Sequence, residues 1–314
     1  MRNKPPFKKI GKAVTITVGI AAYNAEKNIK RLLDSLLSQK SVNYKLDKVF
    51  VHSDQSTDNT DRIVKNMKNK YVKLIIPRQR RGFARTIINL LKGNKSDICI
   101  LLNDDIIISD RFFINKLIQP YFSNKNVGLI SGNPQALQSR NFISEAVRSG
   151  YNAYKDLGDY IDSGNNIFTC DGKILCFSKL FIKTLKFPKN KSEMGNVDKY
   201  IYLSCLANHF DYRYVTDAVV YFKCPSTIDD FVKWQIRNYK TNKYIMQKKF
   251  AKLSYKEYKT PRIIFTCYKI KEFMKNPLGG TVIYLLGLYC TFKAYKERYF
   301  VKTTWDLVST TKDL

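Results

Sequence analysis

Two acidic stretches in this chain stand where carboxylates could do chemistry. Asn103-Asp104-Asp105 directly follows the apolar run ICILL, so a buried strand delivers an amide and two adjacent carboxylates to a loop. Adjacent acids in a basic chain are stabilised by a bound cation, and Mg²⁺ or Mn²⁺ held by one or two carboxylates plus substrate phosphates is the usual arrangement. A helix N-cap is the competing reading, since Asp is favoured there. Asp198, in SEMGNVDKYIYLSCL, opens an apolar helix. It is read either as a cap or as a general base taking a proton from an acceptor hydroxyl. Asp54, in HSDQSTDNT, follows a strand, and a carboxylate there is placed to accept hydrogen bonds from a base or ribose. Capping accounts for Asp58 but less well for Asp54. Arg78, Arg80, Arg81 and Arg85 surround Gly82 at a helix start, a place suited to a diphosphate, and Arg85 is the preferred contact. His52 and His209 have no second histidine at ligand spacing and are read as structural.

The elements that must position these groups follow from periodicity. Up to about residue 135, short β-branched runs alternate with helical spacing, the pattern of a parallel sheet with crossover helices. Strands are predicted over 15–20, 48–52, 72–76 and 97–102, and helices over 26–39, 57–67 and 82–91. Such sheets bind ligands beyond the carboxyl ends of their strands, which here read AAYNAE, SDQSTDNT and NDD. The second half is less regular. Helices are predicted over 140–160, 198–207 and 227–247, a polar loop over 162–166, and strands over 173–177, 212–215 and 218–222.

With 314 residues and 44% hydrophobic side chains, the chain can bury a substantial core and is not a disordered tail. Lys and Arg number 55 against 26 Asp and Glu, a net charge of +29 that attracts anionic partners without choosing among nucleic acid, acidic lipid and phosphorylated substrate. Seven widely spaced cysteines without a C-x-x-C pair argue against a disulfide framework or zinc site. The basic N-terminus runs into patterned sequence without a signal-peptide core, so a cytoplasmic chain is expected. The apolar segment 278–292 is shorter than the roughly twenty residues of a spanning helix and is read as interfacial, re-entrant or buried. Its flanking lysines and the Lys- and Tyr-rich tail suit an anionic membrane surface, with a helical lid as the alternative.

Taken in order, these segments resemble the family 2 glycosyltransferases, inverting enzymes with a GT-A fold. VTITVGIAAYNAEKNIKRLLDSLLSQ is similar to that family's opening strand and helix, and VFVHSDQSTDNT resembles its V-V-D-D-G-S-T-D-N-T segment with Ser53 at the first acidic position and Asp54 at the second. LLNDDIII resembles the D-x-D segment, with Asn103 at the first position and Asp105 at the third. The stretch from Asn196 to Lys240 resembles the E-D-x-x-L … P-D-A-V-V-Y … Q-x-x-R-W block of the polymerising branch. Asp198 and Arg237 match that block, whereas Trp234 stands at the glutamine position and Asn238 at the tryptophan position.

The resemblance implies an α/β fold of GT-A type, a Rossmann-like mixed sheet flanked by helices, with a C-terminal amphipathic helical tail. It divides the chain into a basic extension (1–13), a catalytic domain (14–250, with a nucleotide-binding half to 135 and an acceptor half after it) and a basic, aromatic tail (251–314). The implied nucleotide-sugar contacts are Ala22, Tyr23, Asn24, Glu26, Asp54, Arg85 and Asp104. The metal, Mg²⁺ or Mn²⁺, falls to Asp105 and Asn103, and the acceptor or diphosphate to Gly172, Trp234, Gln235 and Arg237. Asp198 is the implied base. The expected partners are a UDP-sugar in preference to a GDP-sugar, a glycan or lipid-linked acceptor, and an anionic membrane at its cytoplasmic face, with no specific nucleic acid. A nucleotidyltransferase on a similar sheet and a non-catalytic basic nucleic-acid binder are the alternatives.

Overall fold

The computed structural model describes residues 13–189, 194, 196–247, 250–259, 262–296 and 307–314. The basic extension therefore lies outside the described residues except for Ala13. One sheet organises the described chain, in the order β3-β2-β1-β4-β7-β6-β8-β5. Its strands are β1 (Val14–Ala22), β2 (Tyr44–Ser53), β3 (Val72–Ile75), β4 (Ile98–Asn103), β5 (Ile107–Ile108), β6 (Val127–Ala136), β7 (Ile174–Ser178) and β8 (Asp211–Phe222). The first four pair in parallel, as the periodicity predicts. Beyond β4 the sheet is mixed: β7 runs antiparallel to both β4 and β6, and β6 is parallel to β8.

Both faces of the sheet are covered, and the strand alternation shows how. In β4, Ile98, Ile100 and Leu102 join one core cluster while Cys99 and Leu101 join the other, because successive side chains of a strand point to opposite faces. The first cluster receives α1 (Ile29–Leu37) through Ile29, Leu32, Leu33 and Leu36. The second receives α3 (Phe83–Lys92) through Ile87 and Leu91 and α8 (Val197–Ala207) through Tyr200 to Cys205. The remaining helices are α2 (Thr60–Asn66), α4 (Phe113–Leu117), α5 (Gln119–Ser123), α6 (Phe142–Tyr160), α7 (Lys179–Thr184), α9 (Ile228–Gln247), α10 (Ala251–Glu257), α11 (Arg262–Lys275) and α12 (Pro277–Lys296). A third, smaller cluster of Val147, Phe222, Phe231, Val232 and Cys290 ties α6, β8, α9 and α12 together.

The structure departs from the sequence pattern in three places. Strand β6 carries little strand signal of its own, because VGLISGNPQA holds two glycines and a proline, residues depleted from strands. Gly132 is needed there: a Cβ on it would come 2.6 Å from the Ala218 carbonyl oxygen, where the β6–β8 register shifts. The two short strands expected at 212–215 and 218–222 form the single strand β8. No helix starts at Asp104 or Asp105; β5 follows them, which removes the capping reading.

Candidate functional site

Strand β1 ends at Ala22 and β4 at Asn103, and these neighbours bring their following loops together, Ala21 standing opposite Asn103. Asp104 is buried, and its Oδ2 accepts a hydrogen bond from the Tyr23 backbone N–H at 3.0 Å. Its Oδ1 accepts one from Lys312 Nζ. Burial pushes the Asp104 carboxyl above its ordinary range, and Lys312 pulls the other way. Asp105 Oδ1 is buried without a hydrogen-bond partner among the described residues.

Those residues fit a divalent cation. A buried, unsatisfied carboxylate oxygen is costly unless a cation completes it. No group of three His, Cys, Asp or Glu that could hold a metal occurs among the described residues, so such an ion would draw its other ligands from diphosphate and water. Asn103 lines the same cleft and offers an uncharged carbonyl oxygen.

Asp198 sits in the first turn of α8, whose N-cap is Asn196, so capping does not account for it. Its Oδ2 accepts from Gly172 N–H at 3.1 Å and its Oδ1 from Lys199 N–H at 3.0 Å. Burial raises the Asp198 carboxyl above its usual range, outweighing Lys199, whose Nζ lies 3.9 Å away. The Lys199 ammonium is held by the carbonyls of Ile167 at 2.8 Å and Cys170 at 2.6 Å. Asp171, the residue after Cys170, differs. Burial opposes its charge, but Lys173 at 3.2 Å outweighs this and holds the carboxyl below its ordinary range.

Helix α9 supplies Trp234, Gln235 and Arg237, all lining the cleft with Asp105 and Asp198. Burial lowers the Arg237 pKa, opposed by the charges of Asp105 and Asp198. One cleft of about 1280 Å³ therefore joins the acids, Arg237, Ala22, Tyr23 and Gly172.

Other expected contacts are placed differently. Asn24 and Glu26 are absent from the cleft wall. Asn24 Oδ1 accepts from Thr57 N–H at 2.8 Å and Glu26 Oε2 from Asn59 N–H at 3.0 Å, so both staple the β1–α1 turn to the loop before α2. Asp54 lines the cleft, but each of its oxygens accepts a backbone N–H at 2.8 Å, from Arg81 and Gly82. It fixes the turn into α3, where Gly82 takes φ +81. Arg85 is exposed and outside the cleft wall, because the apolar residues Ala84, Ile87, Ile88 and Leu91 turn the other side of α3 inward. Arg80 reaches the cleft instead, its guanidinium 3.8 Å from the centre of the Tyr23 ring. His52 is buried with Nδ1 3.4 Å from Thr86 Oγ1, and all seven cysteines are free.

Sequence reasoning missed the segment 307–314, which returns to the cleft. Thr310 donates to Asp230 Oδ2 through N–H and Oγ1, each at 2.8 Å, while the Lys312 and Leu314 carbonyls accept from Asn28 Nδ2 at 2.8 Å and Arg31 Nη1 at 2.7 Å. The strap thus joins α9 to α1 and carries Lys312 to the acids. Burial disfavours the Lys312 charge, but Asp104 and Asp105 outweigh it and raise its pKa. Nothing periodic marks STTKDL; only contacts across about 200 residues reveal it.

Known proteins share this architecture. A mannosyltransferase from Pyrobaculum calidifontis, solved in complex with GDP-Man and Mn²⁺, superposes with a TM-score of 0.56 at 17% identity, covering 93% of this chain and 79% of that one. Glucosyl-3-phosphoglycerate synthase from Mycobacterium tuberculosis, solved with Mn²⁺, UDP and phosphoglyceric acid, gives 0.54 at 16% identity over 74% of this chain and 78% of that one. These likenesses show the GT-A fold. In sequence, poly-beta-1,6-N-acetyl-D-glucosamine synthase of Staphylococcus epidermidis is 22% identical over 230 residues, 69% of this chain and 52% of that protein. The chain thus spans about half the length of that curated relative. The model of Glycosyl transferase family 2 matches residues 17–185, more than half of the chain and the stretch that carries Asp54, Asn103, Asp104 and Asp105, and the chain belongs to that family.

Proposed function

We propose that this chain transfers a sugar, with inversion at the anomeric carbon, from a nucleoside-diphosphate sugar to a hydroxyl of a glycan or lipid-linked acceptor, a UDP-sugar being the preferred donor. The observation that carries the reading is that part-buried Asp198 faces the same cleft as Asp105, with Arg237 in the electrostatic field of both. The solved neighbours that hold Mn²⁺ with UDP or GDP-Man support it.

In this reading Asp198 takes the proton of the acceptor hydroxyl as the oxygen–anomeric carbon bond forms. The bond from that carbon to the diphosphate breaks, and its electron pair leaves with the diphosphate. A raised carboxyl pKa suits a base working near neutral pH. Gly172 N–H and Lys199 N–H orient the carboxylate. Arg237, Lys312 and Arg80 supply positive charge for the departing diphosphate, the kind of preorganised electrostatics that contributes most to transfers of this type. Asp105 and Asn103 would hold Mg²⁺ or Mn²⁺, which would neutralise negative charge on the diphosphate.

The tail supports membrane contact. No helix among the described residues is long and apolar enough to cross a membrane. Yet α11 and α12 expose Ile263, Ile270, Met274, Leu278, Leu285 and Phe292 between lysines. We read them as lying on an anionic surface, as at the cytoplasmic face of a membrane, where each basic residue adds about 1 kcal/mol. The domain division at about 135 and 250 belongs to this same reading.

The deciding experiment is calorimetric binding of UDP and GDP, each with and without Mn²⁺, to the purified chain and to Asp105→Ala. Metal-dependent binding of UDP that the substitution abolishes is expected. Absence of binding by either nucleotide would overturn the donor-site assignment.

A further inference from the structure

The cleft is larger than a donor needs. Small-molecule sites occupy roughly 300–1,000 Å³, and this one reaches about 1280 Å³ because it continues past Asp198 between three helices. Its polar end holds Asp105, Asp198 and Arg237. Its other end is walled by α6, α11 and α12, with Gly150, Phe273, Ile283, Gly287 and Leu288 on the lining. Helices α11 and α12 both pack on α6, and α12 also on α9, so the catalytic cleft and the membrane-facing helices share one continuous wall.

Two glycines keep that end open. A Cβ on Gly287 would meet nothing within 4 Å, and one on Gly150 would meet only Ile283 Cγ2 at 3.6 Å. Glycine inside a helix costs roughly 0.5–1 kcal/mol relative to alanine. Neither position needs glycine for its backbone or for close packing, since neither has a positive φ. What the absent side chains leave is room along the cleft.

We propose that the acceptor is a membrane amphiphile, whose hydroxyl head lies at Asp198 and whose hydrocarbon chain runs along α6, α11 and α12. The proposal rests on the transfer reading above and names its acceptor class. Two features of the cleft select this occupant over a water-soluble glycan. The lining of the cleft is mostly apolar, with Lys155, Thr266, Lys269, Glu272, Thr281 and Thr291 among its polar members on these helices, so a glycan would leave many of its hydroxyls unpaired. The cleft also ends at helices whose apolar outer face is flanked by Lys275, Lys293 and Lys296, a charge complement to an anionic bilayer. An acceptor entering from that bilayer keeps its chain in apolar surroundings throughout.

The test measures binding rather than turnover. Dodecyl β-glucoside, below its micelle concentration, and methyl β-glucoside are titrated calorimetrically into the purified full chain, Gly287→Phe and Gly150→Leu, with UDP and Mn²⁺ titrated in parallel. The dodecyl compound is expected to bind at least about a hundredfold more tightly than the methyl one, the return from burying about four methylenes. Each substitution is expected to weaken dodecyl binding by about tenfold or more and to leave nucleotide binding unchanged, because the filled space lies away from the acids. Equal affinity for the two glucosides overturns the proposal. So does an undiminished alkyl preference in both variants, which would place the chain on the outer face of α11 and α12. An alkyl preference that the variants abolish, in a chain that binds no nucleotide, would uphold the amphiphile site and sink the donor reading instead.

Discussion

Replacing Lys312 with methionine separates two effects that its position links. The ammonium pairs with Asp104 and lies in the field of Asp105, where a divalent ion would sit. A unit-charge pair at contact is worth about 4 kcal/mol at an effective dielectric of 20. About half of that survives here, because 19% of the Lys312 side chain remains exposed and solvent enters the cleft. Removing the cation therefore frees about 2 kcal/mol of repulsion against a metal bound without nucleotide, and Mn²⁺ alone should bind roughly thirtyfold more tightly to Lys312→Met. With diphosphate present the sign reverses. The variant lacks one charge-assisted contact, worth about 1.5–3 kcal/mol, so metal-dependent UDP binding should weaken by roughly tenfold to a hundredfold. Calorimetry of Mn²⁺ alone and of UDP in saturating Mn²⁺, on wild type and variant, reads both. Unchanged affinities on both titrations, or a shift of the same sign in each, would show that Lys312 does not share the site.

Further outcomes follow from the same geometry. Asp198→Asn should lower turnover by a factor of roughly a hundred or more while leaving UDP binding intact, and steady-state kinetics beside calorimetry measures the split. Because burial raises the Asp198 carboxyl, its base form is lost as pH falls through a value above the ordinary carboxylate range. The acid limb of kcat/KM should therefore lie above that range, and a limb at the value of a free carboxyl would remove Asp198 as the base. Asp105→Ala should cost a factor of roughly a hundred or more in turnover and the metal dependence of nucleotide binding together; retained Mn²⁺-dependent UDP binding argues against it as the ligand. Asp230→Ala removes the acceptor for Thr310 N–H and Oγ1 and for Ser309 Oγ at 3.2 Å. It should release the 307–314 strap, seen as faster amide exchange there with the sheet unchanged.

Much of the fold was legible because it is written in short periods. The alternation of β1 and β4 and the helical stripe Ile29, Leu32, Leu33 and Leu36 are local patterns, and the structure buries those residues as the patterns require. The acids were legible for a related reason. Asp54, Asp104 and Asp105 follow apolar strands, and parallel strands deliver their carboxyl ends to one crevice.

What escaped was whatever depends on distant segments meeting. Arg85 and Arg80 are equivalent as residue types at a helix start, and only the packing of the apolar side of α3 against the sheet decides that Arg80 reaches Tyr23 while Arg85 faces water. Asn24 and Glu26 carry polar groups suited to a nucleotide, yet the loop before α2 claims them through backbone N–H groups. Strand β6 hid behind Gly132 and Pro134, whose strand signal is poor until β7 and β8 flank it. Lys312 is one lysine among many in a chain of net charge +29, and its meaning comes from the contacts that hold 307–314 between α1 and α9. The α/β class, the paired acids at a strand end and the family resemblance follow from local order in the chain, since each is set by neighbours within a few residues. Which charges share the cleft and how far it extends toward α11 and α12 depend on the packed chain, because charge neutralisation and burial depend on distance in space rather than along the chain.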